Sequence, residues 1–132
     1  MKNVSSFVLV FLVLISCKSD DGFLSDSIVG TWRLVEMLAD PGDGSGEFMP
    51  VTSSKIIEFL ADGSFTSNGN ICVFSTLNDG DSEGSYLTSD EGYSVECEGP
   101  FVSPLNLQLK DGFLILTFLC IEPCQQKYKR IQ

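Results

Sequence analysis

Hydrophobic and polar residues alternate along much of this chain with a period of two. Tyr93, Val95 and Cys97 interleave with Ser94, Glu96 and Glu98, and Leu105, Leu107 and Leu109 interleave with Asn106 and Gln108. Successive side chains of a strand point to opposite faces, so each of these segments has one dry face and one wet face. No stretch sustains the 3.6-residue period between helix caps. Apolar runs of 5–9 residues are separated instead by clusters of Gly, Asp, Asn and Pro, a pattern that predicts strands at Val29–Leu38, Lys55–Leu60, Ser64–Cys72, Gly84–Thr88, Tyr93–Glu98, Leu105–Lys110, Phe113–Leu119 and Gln125–Ile131. Phe113–Leu119 is apolar on both faces and is expected to be the most buried strand. Ala61-Asp62-Gly63 and Asp111-Gly112 supply the positive-φ positions of tight hairpins. Long loops are expected at Ala39–Thr52, Val73–Glu83 and Gly99–Pro104. The predicted fold is all-β, a single antiparallel up-and-down barrel of short strands.

The first residues follow a different rule. Met1 and Lys2 give a short positive start, and Phe7–Ile15 is an unbroken apolar run followed by Ser16 and Cys17. That run is too short for a bilayer, which needs about 20 residues, and it has the shape of a secretory signal. Leu14-Ile15-Ser16-Cys17 resembles the bacterial lipobox. The resemblance implies that the Cys17 thiol receives diacylglycerol, that the signal is cut before it, and that the new amino terminus is acylated too. Several acyl chains anchor a protein stably where one holds it only marginally. Residues 1–16 are therefore expected to be a lipoprotein signal peptide, residues 17–27 the lipidated cysteine and a flexible tether, and residues 28–132 the barrel domain. Ser19-Asp20-Asp21 is similar to the export signal that some Gram-negative lineages use for surface lipoproteins, and equally to a plain solvated linker. The expected location is the outer membrane, with the domain facing the periplasm or displayed on the cell surface.

Gly30-Thr31-Trp32 opens the first strand and resembles the Gly-x-Trp signature of lipocalins and related calycin barrels. In those folds the tryptophan closes the barrel's bottom and an arginine of the last strand packs across the indole; Arg130 stands in the corresponding strand here, and a guanidinium over an indole is a sound cation–π contact. Together with the lipobox and the hairpin Phe59-Leu60-Ala61-Asp62-Gly63-Ser64-Phe65, this makes residues 28–131 similar to the small lipocalin-like bacterial lipoproteins. The domain is short for a ligand carrier, and eight strands leave room for side chains or for one small ligand, not both. The resemblance implies a non-enzymatic binding module. A small hydrophobic ligand would enter the open end among Phe59, Phe65, Tyr93, Leu107, Ile115 and Phe118, while Trp32 and Arg130 close the other. The alternative is a filled core whose surface meets a protein partner.

Composition narrows the chemistry. The chain has 18 acidic residues, 8 basic residues and no histidine, for a net charge of −10. An acidic surface repels phosphate, so nucleic acid is not an expected partner. Without histidine there is no default general base, no Ser-His or Cys-His pair and no His-ligated metal. Ser53-Ser54-Lys55 has no recognisable Ser-Lys spacing, and Glu96 and Glu98 are expected to project outward into water, where carboxylates make poor general acids. No enzymatic activity, catalytic residue or cofactor is expected. Between Lys55 and Lys110 there are nine acidic residues and no basic one, so part of the barrel must present a negative face.

Four cysteines follow Cys17, an even count that favours two disulfides in an exported domain. Three connectivities are open. Cys120 and Cys124 bracket a proline turn between the last two strands, while Cys72 and Cys97 end strands, so Cys72–Cys97 and Cys120–Cys124 are the expected pairs. A zinc site would show CxxC knuckles, which are absent. Asp79, Asp81 and Glu83 superficially follow a calcium loop, but Asp90 stands where the bidentate glutamate belongs. Asp, Gly and Ser in a turn also need no metal to explain them, so no metal is expected there.

Overall fold

The structure, a computed structural model, describes residues 26–99 and 104–132. Within them the chain forms nine strands and no helix: β1 Gly30–Ala39, β2 Met49–Pro50, β3 Ile56–Phe59, β4 Ser64–Ser67, β5 Ser82–Ser89, β6 Gly92–Val95, β7 Leu105–Lys110, β8 Phe113–Phe118 and β9 Cys124–Arg130. From β3 onward each strand pairs antiparallel with the next, and β1 pairs with both β3 and β9. That last pairing closes eight strands into a barrel and leaves no free edge among them. The ninth strand, β2, extends the edge of β1 beyond β3: Gly30–Arg33 pair with β3, Glu36 and Met37 with β2. It was not expected in the 39–52 loop.

A bulge between Leu34 and Glu36 shifts the β1–β9 register. One extra residue flips the faces. Before it, Trp32 and Leu34 point inward and are buried; after it, Met37 packs toward the core and Glu36 turns out to meet Lys127.

The alternation seen in the sequence becomes the inner and outer walls. Leu105 and Leu107 are buried while Asn106 and Gln108 are exposed. In β8, residues Leu114, Ile115 and Leu116 are all buried, as the unbroken apolar run requires. The hairpin between β7 and β8 turns on Asp111 (φ 52°) and Gly112 (φ 79°), two consecutive positive-φ residues of the primed type that matches strand twist. Gly84 stands opposite Phe65 across β4 and β5, and a Cβ there would come within 2.9 Å of the phenyl ring.

Strand ends differ from expectation by more than one residue in three places. The run Ser64–Cys72 stops at Ser67, because the Asn68 side chain takes over the ladder's role. Its carbonyl accepts the Ile56 N–H at 2.7 Å and its amide donates to the Ser54 carbonyl at 2.8 Å. Chain beyond Asn68 is thereby freed to cross the barrel's end. β5 begins at Ser82, two residues before the expected start, and β6 ends at Val95, three residues early.

Candidate functional site: the barrel interior and its mouth

One end of the barrel, the base, is formed by the start of β1, the end of β9 and the three tight hairpins. The Trp32 indole is 1% exposed and donates to the Ile28 carbonyl at 2.7 Å. Arg130 lies 4.2 Å over the indole ring. Its guanidinium also donates to the carbonyls of Val29 and, at 2.6 Å, Ser27, which straps the entering chain beneath the barrel. Gly30 is at φ 134°, and a side chain there would collide with the Arg130 guanidinium. The glycine of the Gly-x-Trp triplet is therefore the residue that lets arginine reach tryptophan.

Aromatic rings occupy the interior above the base. Phe59 meets Phe65 at 5.9 Å and Tyr86, edge-on, at 5.4 Å; Tyr86 meets Tyr93 at 6.0 Å. Such tilted contacts are the favoured aromatic geometry. Tyr86 donates to the Leu60 carbonyl and Tyr93 to the Asp26 carbonyl. Burial and the neighbouring Tyr93 and Asp62 push the Tyr86 hydroxyl above its usual range. Higher up, Tyr128 donates to Gln126 Oε1 at 2.8 Å, and burial raises its pKa far above that of a free phenol.

The residues expected to line a ligand cup thus fall in three places. Phe59, Phe65 and Leu107 are core, with Tyr93 packed against them. Phe118 sits at the upper end, its ring 5.4 Å from Phe74. Ile115 is the correction: its cross-strand neighbours are Gln108 and Lys127, which places it on the outer wall, while Leu114 and Leu116 take the inside.

At the other end, the mouth, residues 68–81 fold across the opening. Ile71 is 1% exposed and belongs to the core. Cys72 is bonded to Cys97, with Cα atoms 5.8 Å apart, and Cys120 is bonded to Cys124 at 6.1 Å, both pairs as expected. Beneath the crossing segment lies Lys55, 0% exposed. Its ammonium donates to the carbonyls of Asn70 (2.8 Å), Val73 (3.3 Å) and Ser75 (3.4 Å). Burial brings Lys55 down to about 8, against the opposing pull of the Asp79 charge. Gln126 donates to the Ser75 carbonyl at 2.9 Å, and Ser53 to the Thr76 carbonyl at 2.7 Å. The segment is a lid whose backbone carbonyls are tied from below, since buried polar groups must be paired.

Gln126 and Ile71 were not singled out from the sequence, nor was Lys55 as an interior residue. The signal was there: Lys55 is two residues before Ile57, Gln126 two before Tyr128, and Ile71 continues the inward series Phe65, Ser67, Gly69. Polarity argued against an inward lysine; period-two counting argued for it. With its ammonium on lid carbonyls and the Ser53 hydroxyl on Thr76, Lys55 and Ser53 form no nucleophile–base pair.

The acidic loops are built around their own backbone. Asp40 accepts the N–H groups of Gly42, Gly44 and Gly46, which hold its carboxyl below the usual range. Of the weak calcium candidates, Asp79 borders Lys55, while Asp81 and Glu83 line an outer-wall hollow of about 690 Å³ together with Glu58 and Thr66. Among the described residues no group of three or more metal-binding side chains is placed to hold an ion. Cys17, the expected lipidation site, lies outside the described residues, as do the rest of residues 1–25. Compared with family models, curated proteins and solved structures, the chain matches none.

Proposed function

We propose that this chain is a lipid-anchored, non-enzymatic binding module of the outer membrane that works through its outer surface and not through an internal ligand. The observation that carries the reading is the occupied interior: Phe59 and Tyr86 touch at 5.4 Å where a ligand would lie, and Ile71 fills the mouth. An apolar ligand would have to displace both. The lipobox resemblance at Leu14–Cys17 supports the anchor, and the absence of histidine supports a non-enzymatic role. Sealed at both ends and tied by two disulfides, the barrel is a rigid support on which exposed loops keep a fixed arrangement. Loops carried on a rigid scaffold are where recognition is usually placed.

Native mass spectrometry of the mature chain, released from its own membranes in detergent, tests this reading. The expected result is the acylated chain with two disulfides, about 4 Da below the fully reduced mass, and no further adduct. A retained apolar molecule that survives delipidation would overturn it in favour of an internal ligand.

A further inference from the structure

We infer that the mouth end of the barrel is a docking face for a protein partner that presents an apolar side chain flanked by lysines or arginines. This rests on the surface-binding reading above and names the surface. Met49, Val73, Leu77, Leu119 and Ile121 are between 48% and 101% exposed, and all lie in or beside the mouth loops. Met49 pairs with Met37, so the two share the inward-facing side where β1 and β2 run past the barrel. Val73 and Leu119 adjoin the Phe74–Phe118 ring contact. The Asp40 N–H donates to the Pro123 carbonyl at 2.9 Å and Ser53 ties Thr76, so separate loops are laced into one surface. Both disulfides lie here as well, and a surface already ordered loses little entropy on binding.

Charge selects the occupant. Asp40, Asp43, Glu47, Asp79, Asp81 and Glu122 lie in the same loops, the only lysine of these loops, Lys55, is buried, and Lys127, which reaches Phe48 from β9, is half-buried and paired with Glu36. The exposed cations Arg33, Lys110 and Lys129 sit on strands running to the base. An apolar centre inside an acidic rim complements a basic partner. It repels an anionic lipid surface and a second copy of the same rim. The chain also enters the barrel at the base, where Arg130 and Tyr93 hold Ser27 and Asp26, so the mouth lies at the end away from the tether.

The test places the photo-reactive amino acid p-benzoylphenylalanine in the full chain, in the cells that make it. Leu77 and Ile121 represent the mouth; Thr66 and Leu87 represent the wall. The expected result is a single protein adduct from both mouth positions, joined at a segment in which lysine or arginine flanks an apolar residue. The double substitution Glu47→Lys and Glu122→Lys should reduce that adduct about tenfold, which corresponds to about 1.4 kcal/mol, while leaving the melting temperature unchanged. Adducts from the wall alone would overturn the mouth and spare the surface-binding reading. Adducts to lipid or to a second copy, or an adduct indifferent to the charge reversal, would overturn the basic-protein partner. No adduct from any of the four positions would sink both readings.

Discussion

At the residue scale, Lys55 decides how the mouth is closed. An ammonium with three protons meets three lid carbonyls, a match that a thioether or an amide side chain cannot make. The arrangement has an energetic signature in pH. Folding lowers the Lys55 pKa from 10.5 to about 8, so between those values the unfolded chain holds a proton that the folded chain has released. Stability contributed by this group therefore rises with pH across that window. Urea unfolding of wild type and Lys55→Met, followed from pH 7 to 10.5, should show wild type gaining on the variant by about 3 kcal/mol. A difference that stays flat with pH would mean that Lys55 titrates as a free lysine. At the base, Trp32, Arg130 and Gly30 form a comparable set: the indole packs, the guanidinium covers it, and the glycine clears the path. Gly30 and Trp32 stood out in the sequence as a triplet. Lys55 did not, because its polarity and its face give opposite answers and only the lid above it resolves them.

At the element scale, the strands that could be read were those with local punctuation. β7 and β8 are joined by Asp111-Gly112, whose positive φ values are a local backbone preference of these residue types, and β7 falls at Leu105–Lys110 as read. β4 could not be bounded in the same way. Its alternation runs on through Ile71, and what ends it is a pair of long-range hydrogen bonds from Asn68 to Ser54 and Ile56. Ile115 shows the same limit: in an all-apolar strand, period two gives two equivalent faces, and only the pairing with Gln108 and Lys127 says which is outside. The two disulfides act on elements of very different span, 25 residues for Cys72–Cys97 and 4 for Cys120–Cys124. Chain-entropy reasoning gives the longer loop the larger effect. Replacing Cys72 and Cys97 together by serine should cost about 3–4 kcal/mol, and replacing Cys120 and Cys124 about 2 kcal/mol. Equal losses in denaturant titrations would show that strain or residual structure, not loop closure, sets the contribution.

At the scale of the whole molecule, the chain carries its charge unevenly. The mouth loops are acidic, and the exposed cations lie on strands that lead toward the base, where Asp26 and Ser27 are held. Cys17→Ser should move the protein from the membrane fraction to the soluble fraction, because nothing else in the chain has an apolar run long enough to insert. Retention in the membrane pellet after a carbonate wash would remove the lipid anchor from the proposal. The sequence by itself determined the fold class and the hairpins at 61–63 and 111–112, and it singled out the Gly-x-Trp triplet and four cysteines with three connectivities open. Each of these depends on spacing of two to four residues, on a residue count, or on backbone angles that few residues adopt. Only the tertiary structure decided that aromatic rings meet inside the barrel and that residues 68–81 cross its mouth. That outcome depends on whether side chains from strands far apart in sequence meet across the barrel, as Phe59 and Tyr86 do, and on where a lysine finds its three carbonyls. Close packing is a property of volumes brought together by closure, and period and composition carry no record of it.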